Sequence, residues 1–184
     1  MNSALAQAPA SIPSFMLKKF EGDETVSLDQ FSDGVVVLDF FAYWCVPCRK
    51  VSTELEEHVQ QFYAGKNGNP AGKPVQVLSL NIEQGRTART RQYIRQTGAS
   101  LVLDDVGGIV YKALGGRGIP YVIVLAKESN QWNVLYAHAG YEGVEKIRTV
   151  IDSVGAAAVR SPADEPAVSL PTTHAVEIGS DGLW

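Results

Sequence analysis

Cys45 and Cys48 are the only cysteines in the chain, and two residues separate them in the run Trp44-Cys45-Val46-Pro47-Cys48. The run follows the apolar stretch Val35-Val36-Val37-Leu38-Asp39-Phe40-Phe41-Ala42 and precedes a segment of helical periodicity. Two thiols at a strand-to-helix junction can close a short disulfide and reopen it without unfolding anything. Cys45 falls at or just before the helix N-terminus, where unpaired backbone N–H groups and the helix dipole favour an anion. That position lowers a thiol pKa to ~7 or below, which makes Cys45 the expected exposed nucleophile. Cys48, one turn further in, is expected to resolve the mixed disulfide. Pro47 suits the first turn, where a missing N–H costs nothing. Arg49 and Lys50 add positive charge nearby or simply face water.

Other chemistries are weaker. A zinc site needs two more ligands, and His58, His138 and His174 stand without ligand spacing. No metal is therefore expected. A static bridge closing so short a loop gains little chain entropy. No phosphate-binding or dinucleotide fingerprint is present, and the glycines of Gly115-Gly116-Arg117-Gly118 lead into Ile119-Pro120 instead of a helix. No cofactor is expected beyond the Cys45–Cys48 pair itself.

Asp39 lies six residues before Cys45. On a strand it shares a face with Val35, Val37 and Phe41. A carboxyl placed there is desolvated, and its pKa rises. It is either an acid–base group serving Cys48 or a polar residue at a strand edge or a helix cap.

The run from Asp39 to Cys48 resembles the strand and active-site signature of thioredoxin-fold proteins. Gly118-Ile119-Pro120-Tyr121, followed by Val122-Ile123-Val124-Leu125, resembles the family's proline loop and the strand after it, and Gly140 resembles its groove glycine. The likeness covers Ser14 to Gly155. It implies a cis bond before Pro120, an acid–base role for Asp39, and a substrate groove at Trp44, Ile119, Pro120, Tyr121 and Gly140, with Tyr43 a weaker candidate. Within the fold the chain is most similar to the TlpA/ResA-type extracytoplasmic branch. The opening Ile12-Pro13-Ser14-Phe15 with a short hairpin resembles its N-terminal extension, and the long stretch between Cys48 and Pro120 resembles its strand–helix insert.

Three positions depart from the pattern. Thr53 stands where the family usually has a proline, which implies a straighter active-site helix. Ser79 stands near the place where cytoplasmic thioredoxins carry a lysine beside the buried acid. Tyr121 follows the proline where a smaller residue is common and would narrow the groove.

The elements expected to position these residues alternate. Strands are read at Phe15–Phe20, Thr25–Leu28, Gly34–Ala42, Val75–Ile82, Tyr121–Ala126 and Trp132–Ala139. Helices are read at Pro47–Tyr63, with Val51, Leu55, Val59 and Phe62 inward, at Thr87–Thr97, and at Glu142–Val154, with Val144, Ile147, Val150 and Ile151 inward. A short apolar run, Leu101-Val102-Leu103, precedes Asp104-Asp105. The pattern is that of an α/β protein. With the resemblance it implies a thioredoxin-like three-layer fold: a central mixed sheet, helices on both faces, an N-terminal hairpin and a central strand–helix insert. Residues 1–13 are expected to be mobile, 14–155 to form the domain, and 156–184 to be a disordered tail, unless Val176-Glu177-Ile178 or Trp184 docks.

The chain's 184 residues suit one domain, and its net charge of −4 argues against nucleic acid. No apolar run approaches the ~20 residues of a membrane span. Ala4-Leu5-Ala6 resembles the end of a leader cleavage site without its charged and apolar regions, which suggests an exported protein whose leader is outside this sequence. The expected function is an extracytoplasmic protein disulfide reductase, of the kind that serves cytochrome c maturation or copper-centre assembly. Its partners would be protein substrates held as mixed disulfides and an upstream membrane dithiol donor. The rivals are a disulfide oxidase or isomerase, a copper-binding module, and a scaffold with little turnover.

Overall fold

The computed structural model describes residues 8–156. Eight strands among these form one sheet in the order β1-β8-β7-β4-β5-β6-β2-β3. They are β1 (Ser11–Ile12), β2 (Met16–Lys19), β3 (Thr25–Ser27), β4 (Val35–Phe41), β5 (Val75–Asn81), β6 (Val102–Asp104), β7 (Tyr121–Glu128) and β8 (Gln131–Ala139). β4 pairs in parallel with β5 and antiparallel with β7, so the sheet is mixed. Every residue of β4 is buried, as expected of a central strand covered on both faces.

The alternation of β4 divides the core. Val36, Leu38 and Phe40 join Leu78, Leu80, Ile123 and Leu125 on one face, together with Leu28, Val110 and Leu114. Val35 and Val37 face the other way, toward Val51, Leu55 and Val59 of the active-site helix and toward Ile147 and Ile151. The helices are α1 (Val46–Leu55), α2 (Gln61–Ala64), α3 (Thr87–Thr97), α4 (Ile109–Ala113) and α5 (Val144–Ser153). α1 and α5 cover the second face and α4 lies on the first, which gives the three layers expected.

Two expectations need correction. The mobile segment 1–13 is too long at its C-terminal end: Ser11 and Ile12 pair with Asn133 and Trp132, and burying Ile12 in the core offsets the cost of ordering them. Residues 1–7 and 157–184 lie outside the described part, and with them the tail expectation and the leader-like alanines.

The active-site helix is also less regular than Thr53 implies. α1 and α2 are joined by a π-helical turn, Glu56–Gln60, which inserts one extra residue into the turn. Glu56 Oε2 accepts from the Ser100 N–H and hydroxyl, both at 3.0 Å. Gln60 Oε1 accepts from the Val77 N–H at 2.8 Å. The extra residue shifts the phase of the stripe, so Tyr63 is buried where Phe62 was expected.

Candidate active site

β4 ends at Phe41, and four residues later Cys45 caps α1. Its sulfur accepts a hydrogen bond from the Cys48 N–H at 3.2 Å, and Pro47 occupies the first turn. Cys45 and Cys48 are joined in a disulfide, with their Cα atoms 5.3 Å apart. The pair therefore sits at a helix N-terminus at the carboxyl end of a central strand. In the dithiol state the same N–H favours Cys45 as a thiolate.

The expected contrast in exposure between the two sulfurs is small. Cys45 is 3% exposed and Cys48 is 0%. The exposed groups are their neighbours, Trp44 at 55% and Val46 at 68%. The Trp44 indole N–H donates to Glu83 Oε2 at 3.4 Å, tying the ring to the loop after β5. Tyr43 is half-buried, and its carbonyl accepts from Arg49 at 3.4 Å.

The peptide bond between Ile119 and Pro120 is cis. Tyr121 pairs with Phe40 across β7 and β4, so the proline loop lies at the same sheet end as the disulfide. Ile119 is half-buried and packs against the cluster that holds Cys45 and Cys48. The Gly140 N–H donates to the Pro120 carbonyl at 2.8 Å. Gly140 has φ +98°, a conformation that side chains rarely adopt. Trp44, Ile119, Pro120 and Gly140 are thus gathered around the dithiol.

Tyr121 is not part of that group, which corrects the groove assignment. It is 5% exposed, its ring packs on Phe40 with centroids 5.8 Å apart, and its hydroxyl donates to the Leu114 carbonyl at 2.7 Å. Strand alternation explains this: Tyr121 follows the parity of Ile123 and Leu125 and turns to the opposite face from Asp39.

Asp39 lies on the face that α1 covers and is fully buried. Burial pushes its carboxyl up to about 7, although the Ser52 and Ser79 hydroxyls favour the anion. Ser79 is its register neighbour on β5. Ser52, one helical turn beyond Cys48, donates to Asp39 Oδ2. The Ser52 oxygen lies 2.7 Å from the Tyr93 hydroxyl. Asp39 Oδ1 has no hydrogen-bond partner among the described residues. A fully buried carboxyl bonded to Ser52, one helical turn beyond Cys48, with a pKa in the neutral range, can take and return a proton.

Sequence reasoning did not single out Ser52, Tyr93 or Glu83. Ser52 carried a usable signal, four residues after Cys48 and so on the same helix face. Tyr93 and Glu83 meet the site only through tertiary contact. His58 is exposed on its helix. His138 is half-buried, with Nδ1 3.5 Å from Glu142. Among the described residues, no group of three His, Cys, Asp or Glu side chains could hold a metal ion.

The AhpC/TSA family profile matches residues 9–130. Thioredoxin of Bacillus subtilis (strain 168) is 27% identical over 84 residues, spanning 46% of this chain and 71% of that protein. A solved structure from Chlorobium tepidum, assigned as the thiol:disulfide interchange protein DsbE, is similar with TM-score 0.61 at 25% identity, over 79% of this chain and 95% of that one. StoA of Bacillus subtilis gives 0.55 at 22% identity, over 77% and 98%, a likeness of fold.

Proposed function

The chain belongs to the AhpC/TSA family and is a thioredoxin-like thiol–disulfide oxidoreductase, and from that premise we propose that it reduces disulfides in extracytoplasmic partner proteins, as the TlpA/ResA-type branch does in cytochrome c maturation or copper-centre assembly. One observation carries the reading: the Cys45–Cys48 disulfide caps α1 with the buried Asp39 carboxyl behind it and the proline loop beside it. The branch assignment draws support from the N-terminal hairpin β2–β3 and from the insert α3–β6, both of which are present. No helix among the described residues is long and apolar enough to cross a membrane. The donor proposed here is an upstream membrane dithiol protein.

The reaction starts from the dithiol. The Cys45 thiolate attacks one sulfur of the partner's disulfide; that bond breaks, and its electron pair leaves on the second partner sulfur, which takes up a proton. Cys48 then gives its proton to the Asp39 carboxylate and attacks Cys45 Sγ. The mixed disulfide breaks, and the partner's first sulfur leaves as a thiolate that is protonated in turn. Two electrons have passed to the partner with two protons, one taken from water and one returned by Asp39, and the Cys45–Cys48 disulfide remains for the donor to reduce. Ile119, beside Pro120, offers backbone groups that an extended partner segment can pair with as an added strand. No group other than the two sulfurs needs to carry electrons.

Trapping tests this reading. Cys48→Ser is expected to accumulate partners as reducible mixed disulfides on Cys45, and Cys45→Ser none. The same chain, titrated against glutathione, is expected to show a reducing potential; a value near the roughly −120 mV of a strong disulfide oxidant would reverse the proposed direction.

A further inference from the structure

Three side chains from three elements form a buried hydrogen-bonded chain behind the resolving cysteine. Asp39 belongs to β4, Ser52 to α1 and Tyr93 to α3, and all three are at most 2% exposed. The Ser52 hydroxyl bonds to Asp39 Oδ2 and lies 2.7 Å from the Tyr93 hydroxyl. Tyr93 is held by its ring, which stacks on Phe41 at 4.4 Å and 9°. Phe41, Tyr93 and both cysteines belong to one apolar cluster.

A serine hydroxyl has one proton to donate. An ionised carboxylate only accepts, so Ser52 gives its proton to Asp39 and must accept from Tyr93. The chain then has a direction: Tyr93 to Ser52 to carboxylate. It supports the anion through Oδ2; Oδ1 has no hydrogen-bond partner among the described residues, and the nearby Ser79 hydroxyl adds its own support to the anion. If Asp39 is neutral and donates instead, Ser52 turns to Tyr93, and the Tyr93 proton loses the acceptor it had. The chain therefore opposes the desolvation that favours the neutral acid.

We propose that Ser52 and Tyr93 are positioning residues that hold Asp39 ready as the acceptor of the Cys48 proton, and so set the pH range in which the mixed disulfide is resolved. The inference rests on the acid–base role given to Asp39 above. Among the described residues no Lys, Arg or His side chain forms an ion pair with Asp39; its hydrogen-bond donor is Ser52. Ser79 faces it from β5, Val122 from β7, and Ser52 from α1. Tyr93 stands on α3, and Tyr141, after β8, bonds to Glu54. The Arg49 charge favours the ionised form of Tyr93, and Arg49 makes its hydrogen bond to the Tyr43 carbonyl, not to Asp39.

Stopped-flow reaction of the reduced protein with equimolar Ellman's reagent separates the two steps. The first thiol released reports attack by Cys45, and the second reports resolution by Cys48. In the parent the second phase should rise through a midpoint near Asp39's value of about 7. In Ser52→Ala the midpoint should move up by about 1 pH unit, so the second phase slows about fivefold at pH 7 and recovers by about pH 9. The first phase should keep its pH profile. Tyr93→Phe, which keeps the ring stack, should give a smaller upward move. The double variant should match Ser52→Ala, because Tyr93 acts only through Ser52. Midpoints equal to the parent's, or slowing by the same factor at every pH, would overturn the proposal. Asp39→Asn separates this failure from the other: if it leaves the pH dependence of the second phase intact, the acid–base role of Asp39 itself is wrong. If it removes that dependence while Ser52→Ala leaves the midpoint in place, only the hydrogen-bonded chain is wrong.

Discussion

Burying Asp39 between β4 and α1 ties the stability of the whole chain to pH. Its folded pKa of about 7 lies above the ordinary carboxyl value of 3.8. Between those values the folded state binds more protons than the unfolded one, so stability falls as pH rises. The loss is complete above about pH 7 and amounts to roughly 4 kcal/mol at most. Asp39→Asn is therefore expected to raise the unfolding midpoint in urea at pH 8 and to flatten its decline between pH 4 and pH 7. A variant no more stable than the parent at pH 8 would mean that the carboxyl is not held at this cost. At this scale the sequence was informative in proportion to locality. The cysteine spacing and the strand parity of Asp39 are short-range patterns, and both place those residues correctly. Ser52 and Tyr93 were not legible as a set, because their partnership depends on α3 crossing α1, which neither segment encodes alone.

The elements legible in the sequence are the long ones: β4 as an unbroken apolar run, α3 as a polar stretch of helical length and α5 by its apolar stripe. β4, α3 and α5 stand within about two residues of their expected places. α4 went unread because five residues cannot show a helical period. It is held by a buried carboxylate instead: Asp105 Oδ1 accepts from the Val110 N–H at 3.0 Å, and Oδ2 from the Tyr111 N–H at 2.8 Å. Those N–H groups have no partner inside so short a helix. The π-helical turn escaped reading for a related reason, since Glu56 and Gln60 find Ser100 and Val77 only across the fold. Asp105→Ala is expected to destabilise the protein by about 1–3 kcal/mol. It should also speed amide exchange at Ile109–Ala113 before the sheet opens. Unchanged exchange in that segment would show that packing of Val110 and Leu114 suffices to hold α4.

The functional surface of the molecule is assembled from separate stretches of chain at the carboxyl end of β4: the dithiol turn, the loop after β5, the proline loop and Gly140 after β8. The assembly was legible in part, since the order of the signatures implied a known topology. Sequence did not show that Tyr121 would turn to the far face, or that Cys45 would be as covered as it is. That covering decides how partners are chosen. With Cys45 at 3% exposure, a partner sulfur must approach past Trp44 and Val46, and these two side chains form an apolar rim. The hydrogen bond from Trp44 to Glu83 holds the large ring in place before contact, which lowers the ordering cost of binding a protein. Buried tryptophans commonly contribute more than 2 kcal/mol to protein interfaces, and a small disulfide buries little of the ring. Trp44→Ala is therefore expected to lower kcat/KM for a disulfide-bonded protein such as insulin by about 30-fold, as 2 kcal/mol implies. Glu83→Ala should cost less, because it frees the ring without removing it. The rate with Ellman's reagent should change less than about threefold in both. Equal losses toward insulin and Ellman's reagent in Trp44→Ala would instead place Trp44's effect on the sulfur chemistry of Cys45, and the rim would have no part in selecting partners.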